Sequence, residues 1–178
     1  MKSMNKFQTL LLLLMLSLLA GCGPYSFTGA NIDYNVTKTI SVANFYNESG
    51  GGPPNINQQL TEDLKDYFLR NTNLNLVNGT GDISFEGGIV RYDLSPQAPV
   101  ASGNQNVADQ SGLMRLTIAI EVTYTNNANE EYNFKRTFSN FEDYDPRTTN
   151  FLSAEPQLVE QILEKIIVEI FNNSVATW

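Results

Sequence analysis

The sequence predicts an α+β fold: two helices packed on one face of a mixed four-stranded sheet, forming a two-layer sandwich. Three observations lead there. Residues 114–125 alternate between apolar and polar side chains without a break, as a strand with one buried and one wet face must. Apolar residues recur at helical spacing after a Gly-Pro cluster near residue 52 and again near the C-terminus. The order strand, helix, strand, strand, strand, helix needs a crossover through the first helix, which makes its flanking strands parallel, while the later hairpins are antiparallel. Residues 36–178 are enough for a single domain with its own core.

Each element has its own signal. In residues 39–47, Ile40 and Val42 alternate against polar neighbours and read as a strand, stopped by Ser49, Gly50, Gly51, Gly52, Pro53 and Pro54. Asn55 is a suitable N-cap for a helix carrying Ile56, Leu60, Leu64, Tyr67 and Phe68 on one stripe. Glu62 and Asp63 lie toward its start and Arg70 at its end, which suits the helix dipole. Leu74 and Leu76 open a second strand that is interrupted at residues 78–81 and resumes through Ile83, Phe85, Ile89 and Tyr92. Gly87-Gly88 within it marks a bulge or a sharp bend. Residues 95–112 are poor in large apolar side chains and read as a long loop, mobile or ordered by a partner. After the strand from Met114 to Tyr124, residues 126–129 make a hairpin loop, and Tyr132, Phe134 and Phe138 continue on the return strand. The last helix starts after Ser153 as N-cap. Leu158, Val159, Ile162, Leu163, Ile166, Ile167, Ile170 and Phe171 form its apolar stripe, and Glu160, Glu164, Lys165 and Glu169 lie in water.

The N-terminus is an address. Lys2 and Lys6 precede an apolar run over residues 7–19, shorter than the roughly 20 residues of a spanning helix but suited to a signal peptide. Leu19-Ala20-Gly21-Cys22 has the form of a bacterial lipobox, and Cys22 is the only cysteine in the chain. Residues 1–21 are therefore expected to be a lipoprotein signal peptide cut between Gly21 and Cys22, with Cys22 acylated. Residues 22–35, with Gly, Pro, Asn and Thr among scattered aromatics, read as the lipidated tether. Two or more acyl chains hold a protein on a bilayer far more firmly than one. No Asp follows Cys22, so the outer membrane, on its periplasmic side, is the expected destination.

Composition excludes much chemistry. The chain has no His, one Cys and a net charge of −8. A histidine triad, a His-ligated metal and an internal disulfide are ruled out, and the charge opposes nucleic-acid binding. Glu142, Asp143 and Asp145 beside Pro146, and the pair Glu130-Glu131, are expected in turns as solvated acids rather than as a catalytic pair. Asp143-x-Asp145 lacks the rest of a calcium loop, and Gly50-Gly51-Gly52 lacks the Lys-Ser/Thr of a phosphate loop. No enzyme, cofactor or metal is expected. Arg91, Arg115, Lys135 and Arg136 all fall on strands, and two readings stand beside each other. They converge on one part of the sheet and meet a phosphorylated ligand such as lipopolysaccharide. Alternatively they pair with sheet carboxylates such as Glu86 and Glu121, the more ordinary role for charges on a sheet.

The start Cys22-Gly23-Pro24-Tyr25-Ser26-Phe27-Thr28-Gly29 resembles that of LptE-type lipoproteins, in which Cys-Gly is followed by Tyr-x-Phe and Gly. Thr39-Ile40-Ser41-Val42-Ala43-Asn44-Phe45 is similar to that family's first strand, and Gln59-Leu60-Thr61-Glu62-Asp63-Leu64 to its first helix. Asp82-Ile83-Ser84-Phe85-Glu86-Gly87 is similar to its Asp-x-x-x-x-Gly strand. The resemblance implies two helices on a four-stranded sheet, and an outer-membrane lipoprotein that plugs the LptD β-barrel and helps deliver lipopolysaccharide. The long 95–112 loop, the acidity and the scarcity of basic residues depart from that pattern. The other expectation is a free periplasm-facing lipoprotein that binds a lipid or envelope ligand by itself; a large apolar cavity would support it, whereas the continuous helix stripes suggest a filled core.

Overall fold

In the computed structural model, which describes residues 32–97 and 112–175, six strands form one mixed sheet and two helices cover one of its faces. In chain order the elements are β1 (Thr39–Val42), β2 (Tyr46–Asn47), α1 (Ile56–Asn71), β3 (Asn75–Leu76), β4 (Ile83–Pro96), β5 (Met114–Asn126), a short 3-10 turn (Glu130–Tyr132), β6 (Phe134–Tyr144) and α2 (Phe151–Ser174). The sheet order is β3-β1-β4-β5-β6, with β2 also beside β4. As the crossover argument requires, β1 is parallel to both β3 and β4, while β4–β5 and β5–β6 are antiparallel.

The expected four-stranded sheet is corrected to six for two local reasons. The stretch 39–47 splits into β1 and β2 because Phe45 turns into the core, 2% exposed, and donates its N–H to Thr61 Oγ1 on α1 rather than to a strand. The pair Leu74 and Leu76 does not run into β4. It builds the short β3 on the far side of β1, and the turn at residues 78–81 carries the chain back across to β4.

Asp82 locks that return. Its Oδ2 accepts from the Lys38 and Thr39 backbone N–H groups at 2.8 and 2.9 Å and from the Thr39 hydroxyl at 2.8 Å, tying β4 to the start of β1. These donors hold its carboxyl below the usual range, the Lys38 N–H most of all.

β4 does contain a bulge, but not at Gly87-Gly88. Both glycines are in register, opposite Val122 and Glu121. The shift falls between Ile89 and Arg91, where Val90 is the extra residue. It explains the slip in the apolar pattern: Ile83, Phe85 and Ile89 face the helices before it, Tyr92 and Leu94 after it. The glycines serve close approach instead. A Cβ on Gly87 would lie 2.0 Å from the Glu121 carbonyl oxygen, and one on Gly88 2.3 Å from the Tyr46 ring.

Both helical stripes are buried as expected, and Phe68 of α1 packs on Phe85 and on Phe171 of α2 with ring centroids 4.8 and 5.2 Å apart. Their starts differ from expectation. Asn55 sits at the N-cap of α1 without a side-chain cap bond, and Glu62 and Asp63 fall beyond the first turn, whereas Arg70 is in the last turn. Asn150, not Ser153, caps α2, accepting from the Ser153 N–H at 3.0 Å, so the helix begins at Phe151 with Pro156 inside it. The return strand begins at Phe134. Tyr132 stands in the 3-10 turn, half exposed, in a hairpin loop organised by Asn126, Asn129 and Asn133 side chains that accept backbone N–H bonds. Ser95 and Pro96 extend β4, and Ile32 and Tyr34 pack against the core. The rest of the 95–112 loop and the Cys22–Gly29 start lie largely or wholly outside the described residues.

Candidate functional site

One sheet face packs on the helices; among the described residues the other is left bare. Alternation places Arg91, Asp93, Arg115, Thr117, Glu121 and Thr123 there, with Lys135, Ser139, Phe141 and Asp143 from β6. It is a polar surface with two exposed aromatic rings, Phe141 and, lying over Gly88, Tyr46.

The four strand cations do not converge. Arg136 lies on the opposite, helix-facing side of β6, where its guanidinium donates to Asn173 of α2 and stands 5.5 Å from the Phe134 ring centroid. The other three share the bare face but are spread along it. Arg91 is level with Ala119, four residues from Arg115 in one direction and four from Thr123, the partner of Lys135, in the other. At about 3.3 Å per residue these intervals are roughly 13 Å along the strands, so the three stand as separate positions rather than as one cluster.

Most of these charges are already satisfied. Arg115 forks onto Asp143 at 2.7 and 2.8 Å, with its guanidinium carbon 3.6 Å from the Phe141 centroid. The fork holds the Asp143 carboxyl below its usual range. Lys135 pairs with Glu121 at 2.8 Å, which raises the ammonium pKa. Pairing with sheet carboxylates thus describes Lys135, with Glu121, and Arg115, whose partner Asp143 was not foreseen; Arg136 instead meets a helix amide, and Glu86 has no such role among the described residues. Arg91 is exposed and has no ion-pair partner among the described residues. Register decides this, and the bulge that fixes the level of Arg91 gives no advance notice in the chain.

The acidic clusters have structural duties. Glu142 and Asp143 are on β6, not in a turn: Glu142 pairs with Lys165 of α2. Asp145 accepts from the Arg147 side chain and backbone N–H, which brings its carboxyl down to about 2. Glu130 and Glu131 are exposed in the hairpin as expected. Among the described residues no His/Cys/Asp/Glu group is arranged to hold a metal, and no helix is long and apolar enough to cross a membrane. The clefts are open surface depressions. One of about 450 Å³ is lined by polar as well as apolar groups, including Asp33, Thr37, Asn126 and Ser174, and a second of the same volume lies beside Ser41, Asn44 and Glu86. Neither is the large apolar cavity that would support a self-sufficient lipid binder, among the described residues. Gly21 and Cys22 lie outside the described residues.

Fold and surface together define a class: a two-layer α+β domain whose distinctive surface is a polar, uncovered sheet face. Over residues 37–174 the sequence matches the LptE family, described as lipopolysaccharide-assembly, and the chain belongs to that family. No curated protein matches it by sequence. Among solved structures, a Xanthomonas campestris protein is similar with a TM-score of 0.55 at 12% identity, covering 84% of this chain and 86% of its own. A putative neuraminyllactose-binding hemagglutinin homolog from Helicobacter pylori is similar with a TM-score of 0.51 at 9% identity, covering 83% and 88%. A minor lipoprotein from Acinetobacter baumannii has a TM-score of 0.47 at 14% identity, covering 77% and 91%. At these identities the likeness is one of fold.

Proposed function

We propose that this protein is a lipid-anchored plug and assembly factor of the outer-membrane lipopolysaccharide translocon, seated in an LptD-like β-barrel. The observation that carries the reading, beside membership of the family, is the uncovered sheet face. Barrel lumens are polar, and a polar face fits one better than it fits an apolar partner. Its charges come largely pre-paired, so seating it against a wall leaves few of them unsatisfied. Acylated Cys22 keeps the domain at the membrane and raises its effective concentration near an embedded barrel. Arg91, a strand cation without an ion-pair partner among the described residues, would meet a lipopolysaccharide phosphate as a single contact.

Purification of the intact protein from membranes in mild detergent tests this. A large barrel protein is expected in about equal amount, and Cys22→Ala is expected to release the chain from the membrane fraction. Recovery of the protein alone, with lipopolysaccharide unchanged at the cell surface after depletion, rejects the reading. Unaltered lipopolysaccharide binding by Arg91→Glu removes the direct contact but leaves the plug.

A further inference from the structure

We propose that the outer edge of β6 pairs with the same strand of a second copy, giving a twofold dimer with one continuous sheet. This concerns the free chain and does not rest on the barrel reading.

β6 ends the sheet, and among the described residues nothing pairs with its outer edge. It is 11 residues long, against two for β3 at the opposite edge. A long open edge offers a row of unpaired N–H and C=O groups, and charged side chains along it discourage an arbitrary strand from joining. Here the charges are arranged so that one particular strand escapes the penalty. Phe134-Lys135-Arg136-Thr137-Phe138-Ser139-Asn140-Phe141-Glu142-Asp143-Tyr144 is symmetric about Ser139, basic on one side and acidic on the other. Paired antiparallel about that residue, Lys135 stands opposite the partner's Asp143 and Arg136 opposite the partner's Glu142. Phe134 stands opposite the partner's Tyr144, and Ser139 opposite the partner's Ser139.

The geometry is consistent at each further level. Residues equally distant from Ser139 differ by an even number, so each opposed pair lies on the same face and matches in hydrogen-bonding phase. Existing ion pairs then extend into rows of alternating sign. On the bare face the row reads Glu121, Lys135, the partner's Asp143, the partner's Arg115, built from the 2.8 Å Glu121–Lys135 pair and the 2.7 Å fork. On the helix side Arg136, held by Asn173, meets the partner's Glu142, held by the partner's Lys165. Directly opposed unlike charges stabilise a strand pair and like charges destabilise it. A parallel second copy, or a slip of the register by two residues, loses this match. The occupant that fits the edge is therefore this chain itself.

The core lies within residues 32–175, so the chain from Gly23 onward is the protein to use. Sedimentation across a concentration series is expected to give a monomer–dimer equilibrium. Lys135→Glu/Arg136→Glu makes the edge wholly acidic, and Glu142→Lys/Asp143→Lys makes it wholly basic. Each double variant alone is expected to self-associate at least tenfold more weakly, whereas a 1:1 mixture restores a dimer containing one of each. That recovery separates edge pairing from damage to the fold, which mixing does not repair. Independently, Ser139→Cys, then the only thiol, is expected to form an intermolecular disulfide on mild oxidation, since opposed antiparallel residues fall within disulfide reach. A monomer at every concentration, or two variants that fail to pair when mixed, overturns the proposal.

Discussion

A β-carbon added at Gly87 would stand 2.0 Å from a carbonyl oxygen of the neighbouring strand, at a φ of 157°. Backbone has to move to admit it, so Gly87→Ala is expected to cost about 3 kcal/mol or more, read from chemical denaturation. A cost below about 1 kcal/mol would mean that β4 and β5 part easily there. Asp82 carries the opposite lesson, because its importance lies in hydrogen bonds. Asp82→Ala strips three donors of their acceptor and is expected to cost about 2 kcal/mol. Asp82, Asp143 and Asp145 are all more acidic folded than unfolded. Their contribution is complete above the unfolded carboxylate pKa, near 4, and disappears as pH falls through the folded values, about 2 for Asp145. Asp63 works against them: burial raises its pKa, so its protonation on acidification favours the fold. A pH series of melting temperatures should be level through these groups above about pH 5 and decline below pH 4. Stability rising from pH 4 to 2 would contradict the balance. The Asp82 and Gly87 positions were visible in the chain as a pattern, but their partners were not, since these lie on other strands.

Among the elements, β5 was the most legible because its alternation is uninterrupted and its burial follows it from Leu116 to Tyr124. β4 was half legible. Its apolar residues change phase between Ile89 and Tyr92, and two adjacent glycines drew the bulge to the wrong place. Deleting Val90 tests the assignment directly. With the extra residue gone, Ile89 and Arg91 oppose Ile120 and Ala119 as consecutive pairs, with Tyr92 still facing Glu155 of α2. The deletion is expected to leave a cooperatively folded protein within about 2 kcal/mol of the parent. Deleting Ile118 instead inverts half of β5 and should abolish folding. Equal damage from both would refute the bulge. The start of α2 was missed because Ser153 and Asn150 are both good N-cap residue types, and only the folded chain shows that Asn150 does the capping and Pro156 lies inside the helix. The strand cations were placed on the right elements, but faces and levels depend on register, so Arg136 on the helix side and the spread of the other three could not be read ahead.

For the whole molecule, a net charge of −8 sets a background of self-repulsion that no single pair removes. The outer helix surfaces add Glu62, Asp63, Glu160 and Glu164 to it. Screening should therefore help: raising sodium chloride from about 10 mM to 150 mM shortens the Debye length to about 8 Å and is expected to raise the melting temperature by a few degrees. A fall would show that the local ion pairs outweigh the repulsion. The two-layer plan was readable because periodicity and chain order constrain it strongly. The split of the first strand was not, because it hangs on Phe45 exchanging a sheet bond for the Thr61 hydroxyl.

The placement of β1 between β3 and β4 has a temporal corollary. Its neighbours on both sides come later in the chain, with Ile40 against Ile83 and Thr39 against Asn75, whereas β4, β5 and β6 join through successive hairpins. Nearby partners close quickly and distant ones slowly. By this ordering β1, the earliest strand of the sheet, is the last to find its seat, held open until both of its later-arriving neighbours are in place.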